Sequence, residues 1–133
     1  MGGVPEDVDT YCTVFVHGAR DPQELAHAVG DLLGGAVDDW CTVAAEGVDV
    51  CARDWDEFSP SGATVFPIGF YSFPFLLEVG FADGTPVYTA IETVGRILRG
   101  LWGRGWAAVA AAGYADRLPH EGGLSEDLPW PRR

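Results

Sequence analysis

Lysine is absent from this chain of 133 residues: all eight basic side chains are arginine, set against twenty Asp and Glu. With a formal charge of −12, the surface repels nucleic-acid phosphate and anionic lipid, so binding to either is set aside. No uninterrupted apolar run is long enough to cross a bilayer. The opening MGGVPEDVDTY has neither the basic n-region nor the apolar h-region of a secretory signal. Cysteine is scarce and unpaired in spacing. Cys12, Cys41 and Cys51 form no C-x-x-C, which argues against a disulfide framework and predicts a reducing, cytoplasmic setting.

Signatures of chemistry are missing too. There is no G-x-S-x-G frame, and Ser61-Gly62 falls in a loop. The glycines Gly100, Gly103 and Gly105 stand at the end of a predicted helix, whereas a phosphate cradle needs them at the start, where N–H groups are free. Cys12 and His17 lie five apart in a predicted strand and so point to opposite faces, while His27 and His120 lie elsewhere. That is no tetrahedral metal set. Adjacent acids such as Asp38-Asp39 and Asp56-Glu57 read as hydrated surface rather than as an acid–base pair. No catalytic residue, metal or cofactor is predicted.

What is present is lopsided. Residues 1–57 carry thirteen acids against Arg20 and Arg53, a net of −11; residues 58–133 carry seven against six arginines, a net of −1. At 133 residues with 47% hydrophobic content, one domain with its own core is expected. Residues 1–9 and 119–133 read as irregular tails, rich in Gly, Pro and acid.

The clearest architecture lies between Phe75 and Ala112. FLLEVGF reads as a strand, ADGT as a turn, PVYTAIETVGRILRGLW as a helix and WAAVAAA as a strand. Val87, Ile91, Val94, Leu98 and Leu101 share one helical face, with Glu92, Arg96 and Arg99 opposite. Glu92 and Arg96 are spaced to pair one turn apart. Thr85 is the expected N-cap, with Pro86 in the first helical position and Gly103 and Gly105 as the stop.

The first half repeats the scheme. Tyr11–His17 reads as a strand with Cys12, Val14 and Val16 on one face, and Asp21-Pro22-Gln23-Glu24 as a capped helix start. Leu25, Ala28, Val29, Leu32 and Leu33 form the buried face, and Gly34-Gly35 ends it. Thr42–Ala52 reads as one strand with a bulge at Glu46-Gly47. Residues 54–72 form a long connection. Two tandem strand–helix–strand units predict an α+β fold: a ferredoxin-like βαββαβ sandwich, with a four-stranded antiparallel sheet and both helices on one face.

Two places are candidates for function. Asp54-Trp55-Asp56-Glu57-Phe58, with Glu46 and Asp49, mixes negative charge with large apolar anchors in a long loop. Such a mixture suits docking of a basic protein partner, with charge steering approach and rings supplying affinity. The second place is the sheet face opposite the helices, where Phe15, His17 and Glu78 would line a small-molecule pocket, in a monomer or a homodimer.

In composition and general architecture the chain resembles the small acidic immunity proteins of bacterial toxin–immunity pairs. That resemblance covers no individual motif and carries over no residue. It implies a cytoplasmic, non-enzymatic protein that neutralises a cationic toxin by binding it. Two alternatives stay open: a small-molecule binder or enzyme using the open sheet face, and a scaffold subunit with no separable activity.

Overall fold

The computed structural model describes residues 9–55 and 73–123. Asp56, Glu57 and Phe58 lie outside the described residues, as do residues 1–8 and 124–133. Six strands and two helices follow in order: β1 (Cys12–His17), α1 (Pro22–Leu33), β2 (Ala36–Val37), β3 (Thr42–Ala45), β4 (Val48–Asp54), β5 (Phe75–Phe81), α2 (Val87–Gly103) and β6 (Ala107–Ala111). Two short 3-10 turns, Ala115–Arg117 and Pro119–Gly123, come after β6. No helix among the described residues is long and apolar enough to cross a membrane.

The class is α+β, and the sheet is larger than the sequence predicts. It has six strands in the order β2-β3-β4-β5-β1-β6, every neighbouring pair antiparallel. The four-strand expectation fails at two points. Glu46-Gly47 is a hairpin turn and not a bulge: Ala45 pairs with Val48 across it, and Gly47 takes a left-handed φ of +77°. One predicted strand is therefore two. The chain between α1 and β3 adds the two-residue strand β2, with Ala36 against Ala44 and Val37 against Val43.

Both helices pack on one face of the sheet. Cys12, Val14 and Val16 of β1, Val50 and Ala52 of β4, and Leu77 and Val79 of β5 point into that core. Period-two alternation makes the opposite residues of each strand face the other way. There a second, smaller cluster forms from Phe15, Phe73, Leu76, Ala107 and Val109, with Trp55 against it. Strands apolar on both sides are thus buried on both sides.

The helix ends show how local sequence fixes each element. Asp21 caps α1: its Oδ1 accepts from Glu24 N at 2.8 Å, and Glu24 Oε1 accepts from Arg20 N at 2.7 Å. These bonds satisfy two amide groups at the helix start, a cap worth about 1 kcal/mol. Leu25, Ala26, Ala28 and Val29 are buried, and Gly34 closes the helix. In α2 the expected cap is absent. Thr85 Oγ1 donates to Ala82 O at 2.7 Å, so Pro86 stands at the cap position with no side-chain bond. The hydroxyl is consumed by the preceding turn. The buried face of α2 is Ala90, Val94, Ile97, Leu98 and Leu101, with Val87 and Ile91 half-buried. Glu92 and Arg96 are both exposed and make no ion pair with each other.

Residues 119–123, predicted to belong to an irregular tail, pack beside β6. The outward carbonyls of Ala108 and Ala110 lie against Gly123 and Gly122, and Trp102 Nε1 donates to Ala108 O at 3.0 Å. A Cβ at Gly123 would collide with Ala108 O. Upstream, Tyr114 is buried beside β1, and its hydroxyl donates to Thr10 O at 2.8 Å.

Candidate docking surface

The turn between β2 and β3 reads Asp38-Asp39-Trp40-Cys41. Asp is suited to this place because its short side chain can accept from backbone amides just ahead of it. Asp38 Oδ1 accepts from Trp40 N at 2.8 Å and from Thr42 N at 2.9 Å. The backbone closes the same ring: Asp38 N donates to Thr42 O at 3.0 Å, and Cys41 N to Asp38 O at 3.2 Å. Cys41 sits at φ +60° and its carbonyl accepts from Ala52 N at 2.9 Å. A left-handed non-glycine residue costs on the order of 1 kcal/mol or more, and it persists because the surrounding bonds over-determine it.

This locked turn holds Trp40 in solvent. The indole is 82% exposed, the largest exposure among the large apolar side chains described. Exposed carboxylates share this end of the sheet. Asp38 and Asp39 are neighbours of Trp40 in sequence, and all of Asp21, Asp38, Asp39 and Asp54 are exposed. The Cys41 thiol reports how these groups converge. Its proton affinity is raised by desolvation first, then by the charges of Cys51, Asp21, Asp38 and Asp54. Its Sγ lies 3.6 Å from Gln23 Oε1, which ties the turn to the first turn of α1. The end of the sheet under the α1 N-terminus is therefore acidic, with one bare aromatic ring on a stiff support.

The residues singled out from sequence fall in several places. Asp54, at the end of β4, belongs to this acidic end. Asp49 lies toward the other end of the same strand, roughly 17 Å away at about 3.3 Å per residue, and Glu46 is in the hairpin turn before it. Trp55 is half-buried, its ring edge-on to Phe15 at 5.3 Å and 80°, while its N–H donates to Pro74 O at 2.9 Å. It packs on the sheet face away from the helices. Asp56, Glu57 and Phe58 are outside the described residues.

Phe15, His17 and Glu78 share that same outer face, and each is engaged by neighbouring side chains. Phe15 is 6% exposed, within the cluster of Phe73, Leu76 and Val109. His17 lies against the Phe73 ring at 5.4 Å. Glu78 Oε2 accepts from Arg53 Nη2 at 2.6 Å and Nε at 3.0 Å across β4 and β5.

The strongly perturbed groups sit elsewhere and are sealed. Cys12 is 0% exposed; burial pushes its thiol up to about 12, against the smaller opposing effect of hydrogen bonds from Tyr114 and the Ala111 backbone. Burial likewise raises the Tyr114 phenol, with Cys12 and Asp9 adding to it. A thiol held in this state is no nucleophile at neutral pH. Among the described residues no three His, Cys, Asp or Glu side chains converge to hold a metal ion.

Trp40 escapes a reading by periodicity, because a tryptophan before a strand looks like core. The available signal was the turn chemistry of Asp38-Asp39 ahead of it. Comparison with protein-family models, with curated proteins and with solved structures returned no match.

Proposed function

We propose that this chain is a non-enzymatic binding protein that receives a basic protein partner on the acidic end built around Trp40. Its sharpest form is an immunity or antitoxin role, in which occupation of a cationic toxin's surface neutralises it. The observation that carries the reading is the exposed Trp40 indole, on a backbone turn fixed by the Asp38 bonds and next to Cys41, whose thiol feels the charges of Asp21, Asp38 and Asp54. Exposed tryptophans on rigid supports make binding hot spots, because little entropy is lost when they are covered. Nearby carboxylates would speed approach of a cationic surface and could accept from its arginines and lysines. We regard strands β4-β5-β1-β6 with α1 and α2 as a ferredoxin-like sandwich enlarged by the β2–β3 extension.

The test is affinity capture from the source cell with the wild-type chain, Trp40→Ala, and Asp39→Asn/Asp54→Asn. Asp38 and Asp21 are left intact because they support the backbone. A basic protein retained by wild type, lost with Trp40→Ala and weakened by salt and by the double variant, is the expected result. Capture of the same proteins by all three chains at all salt concentrations would refute the proposal.

A further inference from the structure

Arg53 is bound to Glu78 at 2.6 Å, and Arg104 lies 3.9 Å from Asp31 and over the Trp106 ring at 5.3 Å. Arg96 and Arg99, like Arg20 and Arg117, have no carboxylate within 4.0 Å among the described residues. Arg96 and Arg99 stand three apart on the exposed face of α2, so their stems emerge about 5–6 Å from one another. Like charges at that spacing repel, and Glu92, one turn before Arg96, closes no ion pair with either. This occurs in a chain whose net charge is −12.

Both arginines border an open groove of about 520 Å³ where α2 meets the end of α1, with Leu32, Glu92 and Gly100 completing its lining. Gly100 lets α1 close against α2 at this edge, because a Cβ there would run into the Leu32 methyls. The groove thus has two cationic forks, one apolar wall and one carboxylate at its rim.

We propose that this groove binds a small phosphate monoester. The dianion matches two positive charges, and its three terminal oxygens can accept from both forks at once, whereas one carboxylate has only two oxygens to share. Leu32 provides a wall for the organic part, and Glu92 accepts from a hydroxyl on it. The groove volume is in the range of small-ligand sites. The site lies on the helices, away from the Trp40 turn, and does not rest on the docking reading.

The experiment is a titration of the 15N-labelled full chain with glucose 6-phosphate, with glucose and citrate as controls. Saturable shifts confined to the amides around 92–100, with glucose silent and citrate weaker, are expected. Arg96→Gln/Arg99→Gln should weaken binding by about tenfold or more, since charge-assisted hydrogen bonds of this kind are worth that much. Arg96→Lys/Arg99→Lys keeps the charge but loses the forks, and should bind between the two. Absence of saturation up to about 10 mM, where contacts of this strength would show, overturns the proposal. So does equal binding by the glutamine variant with its spectrum still that of the folded protein, or tighter binding of citrate.

Discussion

Two sites in the molecule place a cysteine close to an aromatic residue, and they use the combination in opposite ways. Under β1, Cys12 and Tyr114 are sealed together, and the Tyr114 hydroxyl closes on Thr10 O. In the turn before β3, Cys41 is half-buried and Trp40 stands almost wholly in solvent. The first pair joins β1 to the chain that follows β6, so its groups are held by packing. The second is held by backbone bonds to one aspartate, which leaves its ring free of any packing duty. Burial spends an aromatic on stability; a hydrogen-bonded turn can keep one for a partner.

The largest effect that would sharpen this contrast is alkaline destabilisation. Folded Cys12 and Tyr114 hold their protons to higher pH than in the unfolded chain. For the thiol, the unfolded chain begins to lose its proton near pH 9.0 while the native state keeps it to about 12. Across that window the native state binds more protons, so the stability contribution is full below it and falls as pH rises. A loss on the order of a few kcal/mol is expected in denaturant titrations between these limits, smaller in Cys12→Ala measured against its own neutral-pH value. A flat profile would mean the pair is not sealed.

Next comes Trp40→Ala. It should weaken partner binding by about 2 kcal/mol or more, as for a central anchor, and leave the melting temperature nearly unchanged, because a ring this exposed buries little area. A fall of several degrees would make Trp40 a packing residue and erase the contrast. Asp38→Ala should cost about 1–2 kcal/mol in stability by freeing two amides, whereas Asp39→Ala should stay within about 0.5 kcal/mol. Calorimetry on the two variants side by side would decide whether the turn is locked by Asp38 alone. Tyr114→Phe should cost about 1 kcal/mol in stability for one hydrogen bond. Thiol labelling is the companion measurement: Cys41 should react in the native state and Cys12 only after unfolding.

Much of the architecture was legible because it follows short-range rules. Cys12, Val14 and Val16 sharing one strand face, the Asp21 cap, and the exposed Glu92, Arg96 and Arg99 all follow from period and cap chemistry, whereas which strand face meets the helices does not, because the strands are apolar on both sides. Errors arose where one residue had two local options. Thr85 could cap forward or bond backward, and it bonds to Ala82. Glu46-Gly47 could bulge or turn, and the apolar runs on each side fit either until pairing partners are known. The acidic end was harder still. It gathers Asp21, Asp38 and Asp54 from a helix start, a turn and a strand end, and long-range convergence leaves no periodic mark. Trp55 and Trp40 look alike in sequence, each beside acids, and only tertiary packing tells that the first lies against Phe15 while the second does not.

The treatment of β6 bears on how copies of this chain can meet. On its rim Ala108 O accepts from Trp102, Gly122 and Gly123 lie against Ala110 O and Ala108 O, and the far rim of the sheet is only two residues long at β2. Among the described residues, neither border offers a long open ladder onto which a stranger's strand could be added, which is the usual route from a small antiparallel sheet to a fibre. For the described residues, contact between copies is thereby left to side chains, and a charge of −12 on each works against it.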